Sequence, residues 1–137
     1  MPRGTGAEVM ALTRINFQSI PVADQQRALE FYRDVMGMIV QTDAPYGDEY
    51  RWIFMEIPGA DTFLHFARPA EISVRDIPAL CLVSDDVDAE AARIASHGVT
   101  LTDGPADAPW HPGVRYALFR DSEANLILLQ SSIHEGD

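Results

Sequence analysis

An internal repeat constrains this sequence more than any other feature. A shift of 61 residues superimposes a strand end, a helix N-cap, a helix residue and a helix stop on their counterparts in the second half. The matched pairs are Val22 with Val83, Asp24 with Asp85, Ala28 with Ala89 and Gly37 with Gly98. Asp is a preferred helix N-cap and Gly a preferred helix stop. Two copies are too few for an extended repeat array, so we predict two half-domains that share a curved sheet.

The residue pattern predicts the same elements in both halves. In the first half, an extended segment over 14–22 precedes a helix from Asp24 to Gly37 with apolar residues three and four apart. Strands are then expected over 38–41, 50–57 and 62–67. In the second half, the corresponding elements are a strand over 77–83, a helix from Asp85 or Asp86 to Gly98, and strands over 99–101, 114–119 and 126–130.

The sequence also predicts one long loop, an N-terminal tail and the bounds of the folded domain. The Pro- and Gly-rich segment 103–113 is expected to be a loop. Residues 1–11 are expected to form a flexible N-terminal tail. The rest, 12–132, is predicted to be one α+β domain of two βαβββ modules, over 12–70 and 75–132.

Charge and cysteine content narrow the classes of partner. The 137 residues carry 10 Lys plus Arg and 21 Asp plus Glu, a formal net charge of −11. Such a surface repels nucleic acid and anionic membranes, so we expect neither as a partner. No apolar run approaches the roughly 20 residues of a membrane helix. Cys81 is the single cysteine, which excludes an internal disulfide and favours a cytoplasmic location.

Three stretches carry a family resemblance. IPVADQQRALEFYRDVMGM resembles the opening helix of the vicinal oxygen chelate superfamily, which includes glyoxalase I, bleomycin resistance proteins and extradiol dioxygenases. LVSDDVDAEAARIASHGVTL and VRYALFRDSEANLILLQ resemble its second helix and closing strand pair. The resemblance extends from Arg14 to Ser131. It implies a homodimer whose paired βαβββ modules form a cupped, eight-stranded mixed sheet around a small molecule.

The metal ligands of that superfamily are missing from the matching positions. Metal-dependent relatives place His and Glu on four strands of the cup, and the equivalents here are Phe17, Leu64, Ala79 and Leu128. These side chains cannot coordinate a cation, so we expect no metal and no cofactor at the usual site. The match at Leu64 is uncertain by one residue.

A divalent metal at a non-standard site is the alternative. The nearby side chains able to bind it are His65, Glu56, His111 and Asp107. Strand alternation argues against a relocated site, because Leu64 and His65 must face opposite sides of the sheet.

The predicted ligand surface is therefore apolar, with a few polar groups at strand ends and loops. Its members are Phe17, Ser19, Trp52, Leu64, Phe66, Ala79, Trp110, His111, Arg115 and Leu128. Trp110 and His111 lie between two prolines in a stiff segment of the kind that closes pockets. The alternatives are that Trp110 packs across a dimer seam or covers the sheet edge, and that Arg115 is solvated.

These residues suggest two main functions. The first is a metal-independent protein that sequesters a small organic molecule, as in the bleomycin resistance branch, with the acidic surface favouring cationic ligands. The second is an enzyme: a lyase, isomerase or dioxygenase with a relocated metal, or metal-free acid–base chemistry by His111 or His65 with Glu56. A third, simpler interpretation is a dimeric scaffold whose cup is packed shut. Two ionisable side chains converging inside the cup would favour the enzyme.

Overall fold

The computed structural model describes residues 11–133, which form two modules. The first contains β1 (Phe17–Ile20), α1 (Gln25–Glu30) continuing into a π-helical turn (Phe31–Val35), β2 (Ile39–Pro45), β3 (Arg51–Glu56) and β4 (Phe63–Phe66). The second contains β5 (Leu80–Val83), α2 (Val87–Ser96), β6 (Leu101–Asp107), β7 (Arg115–Arg120) and β8 (Leu126–Gln130). Of the predicted tail, residues 1–10 lie outside the described part and Ala11 is exposed. Between residues 11 and 133, no helix is long and apolar enough to cross a membrane.

The eight strands form two four-stranded sheets with the same topology. Sheet 1 has the order β1-β4-β3-β2, and sheet 2 has the order β5-β8-β7-β6. In each sheet the first and last strands of the module pair in parallel, and the remaining pairs are antiparallel. The α+β class with two βαβββ modules is thus confirmed, with the strands divided between two hydrogen-bonded sheets.

Both helices begin and end at residues that the sequence indicates. Asp24 caps α1 and Asp86 caps α2, each accepting a hydrogen bond from the backbone N–H three residues later. Gly37 and Gly98 follow the helices with φ of +77° and +88°, a backbone conformation that favours glycine. The first module has one more residue between its cap and its glycine. In the π-helical turn each hydrogen bond joins residues five apart instead of four, and this wider turn accommodates the extra residue.

The core lies on the helix-facing side of each sheet. In sheet 1 the buried residues are Ile20, Ile53, Met55, Leu64 and Phe66, packed with Ala28, Leu29 and Tyr32 of the helical segment. In sheet 2 they are Ala117, Phe119, Ile127 and Leu129, packed against Ala91 and Ile94 of α2. Phe31, Met36, Leu80 and Leu82 pack against both clusters. The two modules therefore share a continuous apolar interior.

The predicted loop over 103–113 is wrong for its first part, because β6 extends to Asp107. The pairing of β6 with β7 contains two register irregularities, which accommodate Gly104 within the strand. Gly104 has φ of +75°, and a Cβ atom there would collide with the carbonyl oxygen of Tyr116. The strand pairing therefore requires glycine at this position.

The turn between β7 and β8 connects the second module to α1 through buried polar contacts. The Glu123 carboxylate accepts hydrogen bonds from the backbone N–H groups of Ala23 and Asp24, both at 2.9 Å. Arg27 donates two more at 2.8 and 2.9 Å. Two other contacts of this turn cross between the modules: Tyr32 Oη donates to Asp121 (2.6 Å), and Asn125 donates to the Pro21 carbonyl (2.8 Å).

Candidate functional site

The side of sheet 1 that faces away from α1 carries a cluster of aromatic rings. We call this surface the aromatic face and define it by Phe17, Trp52, Phe54, Phe63 and His65. Neighbouring ring centroids lie 4.4 to 6.0 Å apart, and the shortest separation joins Trp52 to His65. The four carbocyclic and indole side chains are half-buried rather than enclosed. A flat molecule could therefore stack on them.

His65 is the polar centre of the aromatic face. Its imidazole is buried, with 5% of the residue exposed, and lies between two hydroxyl groups. Ser19 Oγ is 2.7 Å from Nδ1, and Tyr50 Oη is 3.2 Å from Nε2. Burial lowers the pKa of His65. The ring is therefore predominantly neutral at pH 7.

Charged and aromatic groups border this surface. The Arg68 guanidinium lies over the Tyr50 ring, 4.7 Å from its centroid. Tyr46 is 58% exposed, and its ring centroid is 5.8 Å from that of Trp52. Arg51 is held by Asp43 in a two-point ion pair, which makes it a structural group rather than a free cation.

Two concave regions flank the strands nearest to the other module. An apolar cleft of about 420 Å³ lies between the sheets and is lined by Met38, Met55, Leu64, Leu80, Cys81 and neighbouring residues. A second cavity of about 390 Å³ borders the outer edge of β1 and is lined more evenly by polar and apolar groups. Its polar members include Ser19, Ser73, Arg75 and Asn125.

Leu64 and Phe66 do not share a surface with Phe17, contrary to the sequence prediction. The register of β1 against β4 aligns Phe17 with Phe63 and Ser19 with His65. Because side chains alternate along a strand, Leu64 and Phe66 point to the opposite side and are buried in the core. On β4, the catalytic candidate His65 occupies the place that the sequence predicts for Leu64.

The remaining predicted residues belong to the second module. Leu128 is half-buried and lies on the side of sheet 2 that faces away from α2, while Ala79 precedes β5 and borders both cavities. Trp110 is 52% exposed and packs against Tyr116 at 4.9 Å, beside the exposed His111. Arg115 is engaged by Asp88 and Asp107 at 2.6 and 3.2 Å. Both terminal nitrogens of its guanidinium are thus engaged in internal ion pairs.

The ionisable candidates are distributed over both modules. Glu56 ends β3 on the same side as Trp52, whereas His111 lies in the loop between β6 and β7. Between residues 11 and 133, no group of three or more His, Cys, Asp or Glu side chains is arranged to hold a metal ion. His65 is the one imidazole on the aromatic face, and hydroxyl groups already contact both of its nitrogens. This donor set does not fit the divalent metal of metal-dependent relatives.

Sequence reasoning missed several members of the site. Phe54 and Phe63 lie on the aromatic face, and Tyr50 contacts His65, although none was predicted as a site residue. The alternation of RWIFME was an available signal, because Trp52 and Phe54 are two residues apart and share one side of β3.

Comparisons with known proteins place this geometry in a family. TnmS3, an antibiotic binding protein from Streptomyces sp. CB03234, has a solved structure with 37% identity and a TM-score of 0.76, covering 90% of this chain and 98% of that one. A superfamily member from Sphaerobacter thermophilus DSM 20745 has 26% identity and a TM-score of 0.77, covering 90% of this chain and all of that one.

Sequence comparison agrees with the structural comparison. YurT, an uncharacterized protein of Bacillus subtilis (strain 168), is 34% identical over 125 residues, covering 83% of this chain and 95% of YurT. The family model of the Glyoxalase/Bleomycin resistance protein/Dioxygenase superfamily matches residues 14–129. This chain, with its paired βαβββ modules, belongs to that superfamily.

Proposed function

We propose that this protein binds a flat organic molecule of antibiotic-like character on the aromatic face, without a metal and without transforming the ligand. The observation that carries the proposal is the half-buried cluster of Phe17, Trp52 and Phe54 on the side of sheet 1 away from the core. Monomeric domains seldom leave large aromatic rings together on a surface unless something binds there. Similarity to an antibiotic binding protein at 37% identity supports the same function.

The side chains available to a metal and the net charge of the chain support two further features of the proposal, metal independence and a cationic ligand. The aromatic face offers one imidazole to a cation, and that imidazole is occupied by Ser19 and Tyr50. This supports metal-independent binding. The net charge of −11 raises the local concentration of cations, so a cationic planar ligand is favoured over an anionic one. The same charge supports the absence of nucleic-acid and membrane partners, and the single cysteine supports a cytoplasmic location.

We assign the ligand surface to Phe17, Ser19, Trp52 and His65, with Ala79 contributing from the second module through the cavity that it lines together with Ser19. Leu128, Trp110 and His111 stay predictions, because Leu128 and Trp110 pack with Tyr116 and its neighbours inside the second module. Leu64 and Phe66 are excluded because both are buried in the core. Arg115 is excluded because Asp88 and Asp107 hold it.

The test uses 9-aminoacridine, a planar cationic dye, and 1-anilinonaphthalene-8-sulfonate as an anionic counterpart. The fluorescence anisotropy of each dye is titrated with protein at low and high salt. We expect the cationic dye to bind more tightly and its affinity to fall with salt. Failure of both dyes to bind the wild-type protein would refute the proposal, and chemical conversion of a bound ligand would favour an enzyme.

Two matched variants locate the binding surface. Trp52→Ala removes the ring at the centre of the aromatic face, whereas Ile57→Ala trims a side chain that lines the apolar cleft between the sheets. We expect Trp52→Ala to weaken 9-aminoacridine binding about tenfold, since stacking contacts contribute about 1–3 kcal/mol. Ile57→Ala should leave the affinity within about twofold of the wild-type value, the precision expected for a distant site. The opposite pattern would assign the ligand to the cleft.

We also propose that the protein is a homodimer, as the family resemblance implies. The open side of sheet 2 carries the apolar side chain of Val83, which is 61% exposed. A second copy would cover such surfaces. Sedimentation equilibrium tests this directly, and a mass equal to that of one chain at micromolar concentration would refute it.

A further inference from the structure

The hydrogen-bonded series Ser19–His65–Tyr50 joins the solvent-facing edge of sheet 1 to its interior. Ser19 is exposed, whereas His65 and Tyr50 are buried, at 5% and 8% exposure. Ser19 Oγ contacts Nδ1 at 2.7 Å, and Tyr50 Oη contacts Nε2 at 3.2 Å. The imidazole is therefore fixed at both ends, and its ring is wedged between Phe17 and Trp52 at 5.0 and 4.4 Å.

A neutral imidazole has one N–H donor and one acceptor nitrogen, which limits the two hydroxyl groups. If Nδ1 carries the proton, it donates to Ser19 Oγ, and the Ser19 proton is free to point outwards. If Nε2 carries the proton, Ser19 donates to Nδ1, and its lone pairs are free to accept. The exposed hydroxyl can thus act either as donor or as acceptor toward a bound molecule, with His65 in the tautomer that matches each case.

The position of Ser19 relates this group to the proposed ligand surface. β1 is the edge strand of sheet 1, and Ser19 follows Phe17 on the same side of that strand. Ser19 also borders the 390 Å³ cavity at the outer edge of β1. A flat molecule on Phe17 and Trp52 therefore extends toward Ser19 at its rim, where the cavity leaves space for a substituent.

We propose that Ser19, oriented by His65, is the specificity-determining residue of the aromatic face and selects aromatic molecules with a hydroxyl or carbonyl oxygen in the ring plane. This inference rests on the proposed function, since it assumes that aromatic molecules stack on this face. Ser19 touches the ligand, and His65 and Tyr50 act as positioning residues. A hydrocarbon of the same shape fits the rings but offers no partner to the proton or lone pair of Ser19 that is not used by His65.

The experiment compares naphthalene with 2-naphthol, which differ by one ring hydroxyl. Affinities are obtained by displacement of 9-aminoacridine from the wild-type protein and from Ser19→Ala, Ser19→Thr and Ser73→Ala. Ser73 is a matched control because it is exposed and lines the same cavity as Ser19. Melting temperatures of all variants confirm that they are folded.

We expect Ser19→Ala to weaken 2-naphthol binding about three- to tenfold, the range for one neutral hydrogen bond, with naphthalene changed less than about twofold. Ser19→Thr should retain the preference for 2-naphthol, because it keeps the hydroxyl. Ser73→Ala should affect neither probe.

Two results overturn the inference in distinguishable ways. If Ser19→Ala changes both probes equally or changes neither, Ser19 does not select oxygen, and the proposed function stands because dye and hydrocarbon still bind. If neither the dye nor the probes bind the wild-type protein, the proposed function fails and the inference fails with it. A loss of selectivity in Ser73→Ala alone would transfer the specificity role to the cavity wall and refute the assignment to Ser19.

Discussion

Replacing Glu123 by its isostere Gln should strongly destabilise the folded protein. The side chain is fully buried in the turn between β7 and β8, yet its carboxylate is satisfied by contacts from the other module. Burial raises the pKa of the carboxyl group. Hydrogen bonds from Arg27, Asp24 N–H, Ser122 and Ala23 N–H outweigh that effect and lower the pKa to about 2.

The pKa sets the size of the effect. The difference between the ordinary value of 4.5 and about 2 corresponds to about 3 kcal/mol in favour of the ionised, folded state, at about 1.4 kcal/mol per pH unit. Gln approximates the protonated acid, so Glu123→Gln should lower the free energy of unfolding at pH 7 by about 3 kcal/mol. For a domain of this size, the melting temperature should fall by about 10 °C.

The pH dependence has a definite sign. Because the folded-state pKa is depressed, the stabilisation is complete above the unfolded pKa near 4.5 and is lost as the pH falls toward 2. The difference between wild-type protein and Glu123→Gln should therefore shrink to about 1.4 kcal/mol at pH 3. Urea unfolding at pH 7, 5, 4 and 3 measures this difference.

The control is Glu49→Gln, which removes the same charge from an exposed position in the loop before β3. It should change stability by less than about 0.5 kcal/mol, as for other surface substitutions. If Glu123→Gln behaves like Glu49→Gln, or if its cost does not vary between pH 7 and 3, the buried carboxylate does not join the modules as argued.

Three further predictions test the packing. Gly104→Ala should lower the free energy of unfolding by more than about 2 kcal/mol, because the added Cβ collides with a β7 carbonyl. Gly59→Ala, which has open space around it, should cost only about 1 kcal/mol, and thermal unfolding compares the two variants. Phe66→Ala should cost about 3–5 kcal/mol in urea unfolding, and Phe17→Ala clearly less, since only Phe66 is fully buried. Tyr32→Phe should cost about 1–3 kcal/mol by calorimetry, because it removes a buried 2.6 Å hydrogen bond between the modules; an unchanged melting temperature would contradict this.

Features that depend on local chemistry could be predicted from the sequence, and those that depend on pairing register could not. The cap at Asp24 and the stop at Gly37 follow from side-chain hydrogen bonding and backbone freedom, and both are present. The side of the sheet occupied by β4 residues depends on how β4 aligns with β1. No residue in the preceding loop fixes that alignment, so the sequence predicts Leu64 on the surface that His65 occupies.

β6 illustrates a second limit on prediction from sequence. Gly and Pro ordinarily interrupt strands, and Gly104 followed by Pro105 predicts a loop. The segment nevertheless pairs with β7, because the register irregularities remove those residues from the regular ladder. Only the contact with the Tyr116 carbonyl explains why glycine is needed there, and that contact is between residues distant in sequence.

The alternation of side chains along each strand separates the residues that stabilise this protein from the residues that we propose bind the ligand. On β4, Leu64 and Phe66 complete the core, while His65 between them belongs to the aromatic face. Substitutions on the aromatic face can therefore change ligand selectivity at a smaller cost to stability than substitutions in the core. His65 is the exception, since it is buried and hydrogen-bonded at both nitrogens. Its replacement should disturb both folding and binding, which makes Ser19 the better position for testing the chemistry of the site.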